Sequence, residues 1–93
     1  MTQKLQYQIN LAAAALKSAG ASEVYLFGSA VHATMHADSD IDLAVSGLPP
    51  ENFFRAMGEA GDLLSCPLDL VDLDENTPFT RYLKEENELV RVA

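Results

Sequence analysis

The sequence predicts an α/β domain, a small mixed sheet of three to four strands covered by helices, in the order α-β-α-β-α-β-α. Three observations predict it. Apolar residues recur at helical spacing in three stretches, and three short segments rich in Val, Leu and Ile lie between or beside them. The first apolar segment runs straight into Gly28-Ser29, a pairing suited to a strand that enters a helix. The second opens on Asp40-Ile41-Asp42, two carboxylates that strand alternation puts on one face.

Residues 4–19 read as a helix. Leu5, Ile9, Ala12, Ala13 and Leu16 fall on one stripe, the Ala-rich sequence favours the state, and Gly20 stands where a C-terminal cap belongs. Val24 to Phe27 reads as a strand of β-branched and aromatic residues. Ser29 can cap a short helical segment at 30–33, and 34–39 is a polar loop. Residues 40–46 form the second strand, with Ile41, Leu43 and Val45 on one face and Asp40, Asp42 and Ala44 on the other.

Gly47 marks a turn, and Pro49-Pro50 suit the first turn of a helix. Its inward stripe is expected to be Phe53, Met57, Ala60 and Leu64, widened by Phe54. Residues 67–73 form the third strand, with Asp69, Val71 and Leu73 on one face and Asp72 opposite. Thr77-Pro78 opens a last helix, expected to turn Phe79, Tyr82 and Leu83 inward and Glu85, Glu86 and Glu88 outward. Residues 89–92 fit either a short strand or a frayed tail.

Strand directions follow from chemistry. Gly28-Ser29 ends the first strand and Asp40 begins the second, so a shared site requires these strands to be antiparallel. Asp69 lies near the start of the third, which must then run parallel to the second. The helix between them is long enough for the crossover that parallel strands need.

The chain has 93 residues, enough for a single domain over 1–93. A 48% hydrophobic fraction supports a real but limited core, so a partner or hetero-oligomer is expected. Fourteen acidic against six basic residues give a net charge of -8, which argues against direct nucleic-acid binding. Cys66 is the only cysteine, so no internal disulfide and no cysteine-based zinc site is encoded. It reads most simply as a small packed residue. No apolar run approaches the length of a membrane span, and the reading is a cytoplasmic protein without membrane contact.

The pattern Gly28-Ser29, ten residues, Asp40-x-Asp42 resembles the signature of the polymerase-β-like nucleotidyltransferases, and SDIDLAV (39–45) resembles that family's usual strand. The short length, PLDLVDL (67–73) and the terminal helix resemble its minimal nucleotidyltransferase branch. The resemblance implies the nucleotidyltransferase fold and Mg²⁺-dependent transfer of a nucleoside monophosphate, usually AMP from ATP. Asp40, Asp42 and Asp69 would be the catalytic, metal-holding carboxylates of a two-metal site, and Gly28 and Ser29 would take the triphosphate. Many members follow Gly-Ser with a stretch like Arg-Ala-Arg-Gly. Here it is Ala30-Val31-His32-Ala33, so a fixed cation is replaced by His32, which is largely neutral near pH 7.

Minimal nucleotidyltransferases of this kind are often paired with a helical HEPN protein. That partner is an RNase toxin, and the nucleotidyltransferase is the antitoxin that adenylylates it. The resemblance therefore implies a HEPN-type partner and protein adenylyltransferase activity. The alternative is a non-catalytic binding module of the same fold that neutralises a partner by complex formation. A phosphate-binding P-loop is excluded by the missing Gly-Lys-Ser/Thr. His32 and His36 have no Cys partner or close His pair that would support zinc.

Overall fold

The computed structural model of the chain describes residues 3–28, 31, 40–86 and 88–93. Ser29, His32, His36, the loop at 34–39 and, apart from Val31, the helical segment expected at 30–33 lie outside the described residues.

Helix α1 spans Gln3–Ser18 and buries Ile9, Ala12, Ala13 and Leu16, the stripe that its periodicity predicts. It stops where expected. Gly20 takes a φ of 120°, and the N–H groups of Gly20 and Ala21 donate to the carbonyls of Lys17 and Leu16 at 3.0 and 3.1 Å. A side chain is disfavoured at that φ, which is why glycine closes the helix.

Four strands follow: β1 (Glu23–Phe27), β2 (Ile41–Ser46), β3 (Leu68–Asp72) and β4 (Val90–Arg91). They lie in the order β3-β2-β1-β4. Strand β1 is antiparallel to β2 and to β4, whereas β2 and β3 are parallel. The directions inferred from the shared site are therefore those found. The undecided C-terminal segment is a short strand, with Tyr25 opposite Arg91 and Leu26 opposite Val90.

Between β2 and β3 a 3-10 turn at Pro50–Asn52 leads into α2 (Phe53–Gly61). Helices α1 and α2 cover one sheet face, where Val24, Leu26, Ile41, Leu43, Val45 and Leu70 meet Ile9, Leu16, Ala56 and Ala60. Helix α3 (Pro78–Glu85) covers the other face, where Leu83 joins Phe27, Ala44 and Leu73. Full burial of a Leu or Val contributes about 1.5–3 kcal/mol, so the larger α1/α2 face carries most of the stability.

Three side chains do not lie where helical periodicity puts them. Phe54 is 76% exposed and only stacks edge-on against Phe53, with ring centroids 5.5 Å apart. The approach of α2 to the core is made by Ala56 and Ala60, and that rotation carries Phe54 to the outside. Phe79 and Tyr82 are 49% and 52% exposed rather than inward. The buried positions of α3 are Thr80 and Leu83, which turn the two rings to one edge of the helix.

Thr80 can be buried because its polar atoms are satisfied. Its hydroxyl donates to the Glu75 carbonyl at 2.6 Å and accepts from the Thr77 N–H at 3.0 Å. In return the Thr77 hydroxyl accepts from the Thr80 N–H at 3.1 Å. This reciprocal cap, followed by Pro78 at the first helical position, fixes where α3 begins. Glu85 and Glu86 are exposed as expected, while Glu88 is half-buried.

Candidate active site

Sheet register builds the site. Asp42 of β2 sits between Phe27 of β1 and Asp69 of β3. Paired residues on neighbouring strands share a face, so these three side chains form one row across the sheet. The next row on that face is Tyr25, Ala44 and Val71, which α3 covers. The carboxylates thus lie at one end of a face whose middle is apolar. Asp72, in register with buried Val45, belongs to the opposite face, as alternation requires.

Gly28 closes β1 beside this row. Its φ is +78°, and a Cβ built on it would collide with the Asp42 carboxylate. Two independent constraints therefore favour glycine: the left-handed backbone and the close approach of the acid. Asp42 is half-buried, whereas Asp40 and Asp69 are exposed. Burial pushes the Asp42 carboxyl above the usual carboxylate range, and the negative charges of Asp69 and then Asp40 push it further. Two of the three carboxylates expected from sequence, Asp69 and Asp40, thus act electrostatically on the third. Ser29, the other expected phosphate ligand, lies outside the described residues.

The chemistry of this donor set suits a hard divalent cation, which would offset the repulsion that Asp69 and Asp40 add to the burial of Asp42. Among the described residues no group of three His, Cys, Asp or Glu side chains is arranged to hold a metal ion on its own. Mg²⁺ does not need such a cage, because one or two carboxylates with substrate phosphates and water suffice.

A second polar cluster lies at the other end of the same sheet face. Glu23 accepts from the Tyr25 hydroxyl at 2.9 Å and pairs with Arg91 at 3.1 Å. It borders a cleft of about 340 Å³ that Leu83, Lys84 and Leu89 also line, and none of the described site residues lines it.

Asp40 stands just before β2 rather than in it as expected, and a mixed sheet that sets Asp42 of one central strand beside Asp69 of its neighbour and next to a glycine-closed strand end defines a class, the nucleotidyltransferase-fold domains. The chain belongs to the polymerase beta nucleotidyltransferase family, whose domain matches residues 10–91. No curated protein sequence matches it significantly.

Solved structures share the fold. A toxin–antitoxin crystallised with AMP-PNP aligns with a TM-score of 0.71 at 24% identity, over 92% of this chain and 70% of its own. The toxin–antitoxin MntA-HepT aligns at 0.65 and 22%, over 92% and 69%. A mutant of that pair, with two aspartates two residues apart changed to glutamate, aligns at 0.67 and 23%, over 84% and 66%. Among the described residues no helix is long and apolar enough to cross a membrane.

Proposed function

We propose that this chain is a Mg²⁺-dependent nucleotidyltransferase that moves AMP from ATP to a hydroxyl of a HEPN-type toxin, and so acts as its antitoxin. The observation that carries the reading is the row Asp42–Asp69 set against Gly28 inside a family-matched nucleotidyltransferase domain. Asp40, Asp42 and Asp69 would hold the metal. When bound, Mg²⁺ supplies charge neutralisation for the triphosphate and stabilises the attacking and leaving oxygens of an in-line displacement.

The chain's own residues do the rest. Gly28, lacking a Cβ, lets the end of β1 lie close against the Asp42 carboxylate, and its successor Ser29 would offer a hydroxyl and its N–H to the phosphates. Asp69 is exposed at the rim of the row, where it can take the proton of an arriving hydroxyl. The acceptor oxygen bonds to the α-phosphorus, the bond to the bridging oxygen breaks, and pyrophosphate leaves.

The partner reading draws on the solved relatives, which are toxin–antitoxin structures, one of them with AMP-PNP. The net charge of -8 repels RNA but steers a basic, RNA-binding protein toward this surface. Both ATP and such a partner belong to the cytoplasm. The test incubates this chain with α-labelled ATP, Mg²⁺ and the product of the adjacent reading frame. Label on the partner that disappears with Asp42→Asn supports the reading. A partner that is bound and neutralised without label supports the binding module, the reading that the replacement of an arginine by His32 favours.

A further inference from the structure

We propose that Phe79, with Tyr82 one turn further along α3, is the surface on which the base of the nucleoside triphosphate stacks. The inference rests on the nucleotidyltransferase reading of the Asp42–Asp69 row and adds the part of the nucleotide that this row cannot recognise.

Position is the first argument. Phe27 is the strand partner of Asp42, so its ring lies on the carboxylate face. The Phe79 ring packs against it at a centroid distance of 6.0 Å and an interplanar angle of 64°. Strand-pair and ring-contact spacings keep Phe79 within roughly 10 Å of the carboxylate, inside the reach of a nucleoside from its α-phosphate.

Exposure is the second. Phe27 is buried, yet Phe79 and Tyr82 leave about half their surface to solvent on a helix whose other apolar side chain in the turn, Leu83, is inside. Residues three apart on a helix are neighbours, so Tyr82 lies beside Phe79 on the helix surface. Neither ring carries a charge on a chain of net charge -8, and stacking on a π face needs no cation.

Rigidity is the third. The Thr77–Thr80 cap and Pro78 fix the first turn of α3, and Phe27 fixes the ring, so little freedom is lost when a base arrives.

The test is calorimetric titration of the chain with MgATP and, separately, with Mg²⁺ and inorganic tripolyphosphate, which has the phosphates but no base. Phe79→Ala should weaken MgATP roughly 5- to 150-fold and leave tripolyphosphate unchanged. Phe79→Leu, which keeps apolar packing on Phe27, should lose the same selectivity, and Phe79→Trp should restore it. Unchanged MgATP affinity in Phe79→Ala and Phe79→Leu overturns the proposal while the triphosphate reading stands. Equal loss of both ligands also overturns it, because Phe79 would then only support Phe27 and the carboxylates. Intact MgATP binding with lost partner binding makes this surface a protein contact instead. Wild-type chain that binds neither ligand overturns the underlying reading and this inference with it.

Discussion

Replacing Gly28 by alanine tests the geometry of the site with one methyl group. Two costs add. At φ +78° an L-residue loses roughly 1–2 kcal/mol against glycine. The new Cβ would also meet the Asp42 carboxylate, which must swing away from the row it shares with Asp69. The expected destabilisation is about 2 kcal/mol, or roughly 8–16 °C in Tm for a domain of this size. Nucleotidyl transfer should fall far more than stability, because the displaced group is the central carboxylate. Gly58→Ala is the matched control. It lies inside α2, a Cβ there meets nothing within 4 Å, and the exchange should stabilise by roughly 0.5–1 kcal/mol. The assay is chemical denaturation of both variants beside transfer of label from ATP. Gly28→Ala with wild-type stability and full transfer would refute the close packing of β1's end on Asp42.

Asp42→Asn should abolish transfer yet fold at least as well as the parent. The Asp42 carboxyl is raised in the folded state, so the fold binds more protons than the unfolded chain between the ordinary carboxylate value and the raised one. Without metal, stability should therefore fall as pH rises through that window, and the Asn variant should lose this slope in pH-dependent melts. Thr77→Ala should cost about 1 kcal/mol by urea denaturation, since it removes the acceptor for the Thr80 N–H at the start of α3. Ser29→Ala should weaken MgATP by roughly 1.5–3 kcal/mol in calorimetry, the worth of one hydrogen bond to a charged group. Unchanged affinity would leave Ser29 no role toward phosphate.

Much of the architecture was legible because the chemistry constrained it. Requiring Gly28, Asp42 and Asp69 to meet dictates one antiparallel and one parallel strand pair, and the register brings Asp42 and Asp69 side by side. Period-two alternation likewise separates Asp69 from Asp72. The misplacements concern helix faces. Periodicity groups Phe53, Phe54 and Met57 on neighbouring angles but does not say where the stripe is centred. The small residues Ala56 and Ala60 decide that through their approach to the core. In α3 a threonine takes an inward position that hydropathy would give to Phe79, because the cap satisfies its hydroxyl. Strand β4 is only two residues long, too short for any pattern to separate it from a tail. Its existence depends on the free edge of β1.

The most direct measurement is the intact mass of the adjacent reading frame's product after co-expression with this chain, either wild type or Asp42→Asn. The account predicts a partner heavier by AMP with the wild type and unmodified with Asp42→Asn, and growth rescue only in the first case. A partner that keeps its unmodified mass beside the wild type, and is neutralised equally by Asp42→Asn, would contradict transfer as the basis of its function.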